Sequence, residues 1–304
     1  MTEPAPAGRF VFAVALKPRS VSSDWERVQN DLRRTIRSAR AASRDHGSVV
    51  VVACHDEPDL GDVADAHVHV RAVPFAKPAN VWEGGRDKAR KRRFAAAWLR
   101  DEMRDPQVYV MFLDADDLVH RDLVRYVVEG GNGSYLVDRG YFVDVAAGLV
   151  HRRRTDFHEA CGSSFVCRFE RDELPSSWDD LSAPFSRFGA SPEQRGHQDY
   201  DEVAAELGRP PISIPFPAVA YLVNHPESLR AAKGREMRTL VDPFELVSPR
   251  SARRILARDF AASDLAATLA GGGGATKAFL GASKVRLGNH RGALVARLRA
   301  RAGR

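Results

Sequence analysis

Three carboxylates stand together where an apolar run ends: Val108-Tyr109-Val110-Met111-Phe112-Leu113 leads directly into Asp114-Ala115-Asp116-Asp117. Acids released side by side from a buried strand repel one another unless a cation or hydrogen-bond donors compensate. Hard divalent ions such as Mg²⁺ take one or two carboxylates and complete their shell with water and substrate phosphates, so this pattern suits a metal–diphosphate site. The bland alternative is a solvated turn in which Asp117 caps the next helix. Asp199-Tyr200-Asp201 repeats the Asp-x-Asp spacing, so spacing alone does not discriminate. The first instance is set apart by its place at the C-terminal end of a strand, where open α/β sheets bind ligands.

Other chemistry-bearing groups are more isolated. His225, in Tyr221-Leu222-Val223-Asn224-His225-Pro226-Glu227-Ser228-Leu229, has a side chain suited to a transition ion or a phosphate oxygen. Cys161 and Cys167, with His158 nearby, lack the second close pair of a zinc site and read as incidental thiols beside a buried strand. His151-Arg152-Arg153-Arg154 reads as a solvated strand end, with an anionic acceptor as the alternative. Gly271-Gly272-Gly273-Gly274 lacks the Lys-Ser/Thr of a phosphate loop and reads as a flexible joint.

The elements that must position these groups alternate along the first half. Residues 10–16, 49–53 and 108–113 are short apolar strands, with a weaker one at 67–73. Ser23-x-x-Glu26 has the capping-box pattern, and Trp25, Val28, Leu32, Ile36 and Ala39 then recur at helical spacing. A charged helix covers 85–104, and another runs through Leu123, Val124, Val127 and Val128 to Gly130-Gly131. Such alternation predicts an α/β fold whose mainly parallel sheet is covered on both faces. From residue 134 the pattern turns to α+β. A hairpin is expected from 141–145 and 149–153, a strand at 165–169, a helix at 198–207 and a Pro-interrupted extended run at 212–223. No Gly/Ser linker separates the halves, so one continuous domain is expected. After about residue 249 only Ala/Arg-rich helices are expected.

The charge is uneven. Residues 250–304 hold twelve Lys/Arg against Asp259 and Asp264, so this end carries +10 and the remainder of the +6 chain carries −4. A mildly acidic body with a basic end does not fit a dedicated nucleic-acid binder. Three cysteines argue against a disulfide framework. The start Met1-Thr2-Glu3-Pro4-Ala5-Pro6 has no secretory pattern, and no run of about 18 apolar residues exists. The expectation is a soluble cytoplasmic protein.

At this point the residues resemble a family. Arg86-Asp87-Lys88-x-x-Lys91-Arg92-Arg93, a helix, and then Val110-Met111-Phe112-Leu113-Asp114-Ala115-Asp116-Asp117 are similar to the nucleotide-sugar-binding half of GT-A fold glycosyltransferases, especially the family 2-like enzymes. The resemblance implies a catalytic domain over 8–230, with a nucleotide-binding half at 8–133 and an acceptor half at 134–230. A basic helical extension then covers 231–304. By position, Asp114 would face the nucleoside and Asp116 the metal, with Asp56 at the base or ribose and Arg86 and Lys88 on the nucleotide. Gly196-His197-Gln198-Asp199-Tyr200-Asp201 looks like the family's Glu-Asp motif, with Gln198 in place of Glu and Asp199 as the general base. The late Tyr-x-Val-x-His-x-x-Ser segment makes His225 a metal or diphosphate ligand. Gly162-Ser163-Ser164 falls at the acceptor-side loop. Leu16-Lys17-Pro18-Arg19 departs from the family's usual Asn-containing turn.

The resulting expectation is a glycosyltransferase that needs Mn²⁺ or Mg²⁺. It would move a sugar from a nucleoside diphosphate donor to a saccharide or lipid-linked acceptor hydroxyl, with inversion, in bacterial envelope polysaccharide or glycoconjugate synthesis. The basic end would contact the inner face of the cell membrane peripherally or pack on the protein, and a homo-oligomer is open. A sugar-phosphate nucleotidyltransferase is disfavoured because residues 10–20 contain no Gly. An Asp-x-Asp phosphatase is disfavoured by Leu118. A non-catalytic carbohydrate- or partner-binding module that kept the fold is the alternative from another class.

Overall fold

The computed structural model describes residues 9–43, 46–102, 105–188, 196–228 and 245–271. The first sheet has seven strands: β1 (Arg9–Ala15), β2 (Val49–Cys54), β3 (Val68–Ala72), β4 (Gln107–Asp114), β6 (Ser134–Leu136), β9 (Phe165–Glu170) and β10 (Ile212–Ser213). Their spatial order is β10-β6-β9-β4-β1-β2-β3. β1 pairs in parallel with both β2 and β4, and β2 with β3, whereas β9 runs antiparallel to β4 and β6. The fold is mixed α/β, with the parallel block on the side that precedes residue 114.

Strand alternation explains why that block is buried twice over. Phe10, Phe12 and Val14 of β1 point to one core with Val50, Val52, Tyr109, Met111 and Leu113. Val11 and Ala13 point to the other core with Val49, Val51, Val108, Val110 and Phe112. The first face is covered by α1 (Trp25–Ala42), whose Val28, Leu32, Ile36 and Ala39 are buried. On the second face lie α2 (Gly84–Glu102) and α4 (Tyr200–Glu206). Both cores take residues from before and after position 134. α1 starts one residue later than the capping box implied. Asp24 is the cap and accepts from the Arg27 amide, while the amide and hydroxyl of Ser23 both donate to Glu227. A buried carboxylate is a stronger acceptor than the helix's own Glu, so it takes Ser23 away.

A second sheet gathers β5 (Leu118–Val119), β7 (Gly140–Asp144), β8 (Leu149–Arg153), β11 (Val219–Val223) and β12 (Glu245–Leu246) in the order β12-β8-β7-β11-β5. The expected hairpin is β7–β8; the sheet around it was not foreseen. α3 (Leu123–Gly130) follows β5 and ends at Gly131 in the left-handed conformation. The helices α5 (Pro249–Asp259) and α6 (Ser263–Gly271) close over the second sheet. Ala252, Leu256, Phe260, Leu265 and Leu269 pack with Leu118, Tyr141, Val143, Val150 and Leu222. The helical expectation beyond 249 thus holds as far as 271, with the apolar side turned inward. Residues 272–304, including most of the Gly run, lie outside the described residues. No helix among the described residues is long and apolar enough to cross a membrane.

Candidate functional site

β4 is flanked by β1 on one side and β9 on the other, and its last residue, Asp114, is in register with Ala15 at the end of β1. The chain leaves β1 toward β2 and β3, while β4 lies on the opposite side, so the end of this strand pair is a topological switch point. Asp114, Asp116 and Asp117 all emerge there, and one ligand atom from each lies within 4.8 Å of the others.

Each carboxylate has a different environment. Asp114 Oδ1 meets Lys88 Nζ at 2.5 Å and Arg92 Nη2 at 3.3 Å. Burial alone would raise its pKa, but the two cations outweigh burial and hold it below the ordinary value. Asp117 is fully buried, accepting from the Ser163 hydroxyl at 2.6 Å and the Leu222 amide at 3.3 Å. Burial, then the charges of Asp116 and Asp114, push its pKa well above the ordinary value. The solvated-turn reading is therefore overturned for Asp117, and the N-cap position of α3 is held by Asp122. Asp116 is the most available of the three. Its Oδ2 accepts from His225 Nε2 at 2.9 Å, and a quarter of its side chain is exposed.

His225 reaches Asp116 from a tightly held turn. Asn224 adopts φ 58°, a left-handed conformation that Asn tolerates, and its amide donates to Asp144 at 2.9 Å. Two residues on, Glu227 accepts from Lys17 Nζ (2.7 Å), the Ser22 hydroxyl (3.0 Å), the Ser23 amide (3.0 Å), the Asp24 amide (2.8 Å) and the Ser23 hydroxyl. Despite burial, these donors hold its pKa at about 2. Sequence reasoning missed Glu227. The signal was Lys17, which departs from the turn of the family the sequence resembles: it is the counter-charge of a carboxylate 210 positions away. Among the described residues, His225 Nδ1 is buried without a hydrogen-bond partner.

Beyond the end of β2, Asp56 accepts from the Arg19 amide (3.0 Å) and Lys77 Nζ (2.5 Å). Those donors outweigh desolvation and lower its pKa. Lys88 reaches the acidic turn directly, whereas Arg86 is exposed and makes no ion pair among the described residues. Between them, Asp87 points inward and binds His55 Nε2 (2.7 Å) and Lys91 Nζ (2.6 Å), and Lys91 also donates to the Leu16 carbonyl (2.7 Å). The charged helix thus turns Lys91, Arg92 and Arg93 into the protein. Arg92 lies over Phe112 at 4.6 Å and donates to the Tyr200 hydroxyl at 3.2 Å.

Ser163 accepts from the Asp114 amide at 2.9 Å and donates to Asp117, tying the Gly162-Ser163-Ser164 loop to the acidic turn. The expected helix at 198–207 divides into a single 3-10 turn at His197–Asp199 and then α4. Asp199 is half-buried at the N-cap of α4, yet its carboxylate makes no cap bond. The simple capping role is therefore absent. His197, in contrast, is brought close to Asp114 and Lys88. Cys161 and Cys167 are buried free thiols, and burial raises both pKa values. Arg152 and Arg154 pair with Glu245, and Arg153 with Glu159, so this strand end is charge-paired within the chain.

The geometry fits a divalent ion. Asp116 presents a partly exposed carboxylate oxygen, the His225 nitrogen beside it can ligate only after giving up the hydrogen it donates to Asp116, and the repulsion that raises Asp117 would be relieved by a cation. Asp114 is already neutralised by Lys88 and Arg92, and Asp117 is committed to Ser163 and Leu222. No protein-family model matches the sequence, and no curated protein matches it.

Proposed function

We propose that this protein is a metal-dependent glycosyltransferase with a GT-A-like fold, transferring a sugar from a nucleoside diphosphate donor to an acceptor hydroxyl. The observation that carries the reading is the acidic turn at the end of β4, at the β1/β4 switch point, with His225 delivered onto Asp116. Asp116 would hold Mn²⁺ or Mg²⁺, joined by His225 once its Nε2 gives up the hydrogen it donates to Asp116. When bound, the ion supplies positive charge that stabilises the departing diphosphate. Lys88 is paired with Asp114 beside the acidic turn, and Arg86 is exposed at the start of the same helix. Asp56 lies beyond the end of β2, suited to the hydroxyls of a ribose or the edge of a base. The acceptor is a saccharide or lipid-linked hydroxyl, and direct displacement with inversion, in envelope polysaccharide or glycoconjugate synthesis, follows from the resemblance.

The second reading is a non-catalytic carbohydrate- or partner-binding module. The observations that favour it are Gln198 in the place of Glu and an Asp114 whose charge is already satisfied within the protein. Calorimetry with UDP and GDP, each with and without Mn²⁺, tests the shared site. Release of nucleoside diphosphate from UDP-glucose or GDP-mannose then separates the readings. Metal-dependent nucleotide binding with slow release supports the transferase. Metal-dependent binding without release from any donor in a broad panel favours the module, and nucleotide binding that ignores Mn²⁺ overturns the metal site.

A further inference from the structure

We infer that His197, rather than Asp199, is the general base that deprotonates the acceptor hydroxyl. The inference rests on the transferase reading above and names a residue that reading does not contain.

His197 begins the 3-10 turn before α4, and its Nδ1 lies 2.7 Å from the carbonyl oxygen of His158. A carbonyl only accepts, so Nδ1 carries the hydrogen and donates it, and the neutral ring keeps its lone pair on Nε2. Nε2 makes no hydrogen bond among the described residues. The ring's direction follows from Gly162. A Cβ built on that glycine would lie 3.5 Å from Asp114 Oδ2, 3.7 Å from Lys88 Nζ and 3.9 Å from His197 Cδ2. The Cδ2 atom of the imidazole, bonded to Nε2, therefore borders the same space beside Gly162 as the Asp114–Lys88 pair.

Burial and the cations around the ring favour its neutral form. Burial lowers the imidazole pKa, and Lys88 and Arg92 from α2 add to the effect, against Asp114 from β4 and the His158 carbonyl. Asp199 has no comparable link: no bond of its carboxylate reaches the acidic turn or Lys88. A general base needs both a free lone pair and a place beside the reacting centre; His197 has the first and lies beside Asp114 and Lys88 of the proposed donor site.

The step balances without a further reagent. The acceptor O–H proton passes to Nε2 as the acceptor oxygen forms its bond to the anomeric carbon. The bond from that carbon to the diphosphate oxygen breaks, and its electron pair leaves with the nucleoside diphosphate. The Nδ1–H···O=C bond to His158 holds the resulting imidazolium in place, and solvent later takes the proton.

The test uses the full chain with Mn²⁺. His197→Asn retains an amide that can donate to the His158 carbonyl but removes the basic lone pair. It should bind UDP or GDP like the wild type yet release nucleoside diphosphate from UDP-glucose or GDP-mannose about 100-fold more slowly. Asp199→Asn should lose much less. Imidazole added to His197→Ala should restore part of the lost rate, which a merely structural histidine would not allow. A larger loss in Asp199→Asn than in His197→Asn, or no rescue, overturns the inference. Where nucleotide binds but no donor turns over, carbethoxylation decides. Modification of His197 in the free protein and its suppression by UDP with Mn²⁺ support the assignment; an unreactive or unshielded His197 overturns it. A wild-type protein that binds neither nucleotide overturns the transferase reading and the base with it.

Discussion

Glu227 shows how one side chain can hold a site without touching a ligand. Its carboxylate joins the His225 turn to the end of β1 and the start of α1, and all its donors are on the other side of that junction. Because its folded pKa of about 2 lies below the ordinary 4.5, its stabilisation is complete above pH 4.5 and is lost as pH falls toward 2. Glu227→Gln should destabilise the protein by about 2–3 kcal/mol at neutral pH, since Lys17 loses its partner. In urea titrations the gap between variant and wild type should narrow by about 2 kcal/mol between pH 6 and pH 3. A gap that stays constant over that range would remove the charge-based explanation. At Asp116 the expected change is in binding: Asp116→Ala should abolish the Mn²⁺-dependent part of nucleotide affinity while circular dichroism stays unchanged. An unaltered metal requirement would show that the ion sits elsewhere.

Among the elements, α5 carries two separate faces. Leu256 is fully buried against the second sheet, whereas Arg250, Arg253, Arg254 and Arg258 share the exposed side. Leu256→Ala should therefore cost about 2–5 kcal/mol, and Arg254→Ala less than about 0.5 kcal/mol, in denaturant melts. β7 has a similar constraint at Gly140, where a Cβ would collide with the ring of Phe157. Gly140→Ala should destabilise by about 1–3 kcal/mol through that overlap, since Gly140 does not have a positive φ. A thermal melt like that of wild type would mean the ring moves aside at no cost.

Across the whole molecule, charge separates along the chain. Asp264, one of the two acids after residue 250, pairs with Arg34 of α1, and residues 265–304 contain eight Lys/Arg and no acid. With the apolar faces of α5 and α6 already buried, any contact of 249–271 with an anionic bilayer must be electrostatic and made through arginines. The full-length chain is expected to co-sediment with anionic vesicles at low salt and to detach at high salt. Replacing Arg250, Arg253, Arg254 and Arg258 by Ala should weaken binding, each cation contributing about 1 kcal/mol near the surface. Binding that survives high salt would rule out a purely electrostatic contact. A chain ending near 249 is unsuitable as a control, because it strips the cover from the second sheet.

Local pattern determined the parallel block: β1, β2 and β4 are continuous apolar runs, and α1 repeats its apolar residues at helical spacing, so sequence neighbours alone specify these elements. The acidic turn was legible for the same reason, as acids at the end of an apolar strand. The second sheet was not legible, because β5 and β12 are two residues long and their partners lie about a hundred positions away in sequence. The fate of individual charges was equally hidden. Nothing in the order Arg86-Asp87-Lys88 tells which of the three turns inward, and Lys91 reads as a surface lysine until the Leu16 carbonyl and Asp87 are seen around it. Only tertiary structure brought Lys17 to Glu227, His225 to Asp116 and His197 to the space beside Gly162. A buried polar group is stable only where partners from distant segments meet its hydrogen-bonding needs, and those partners are chosen by the fold rather than by neighbours in sequence.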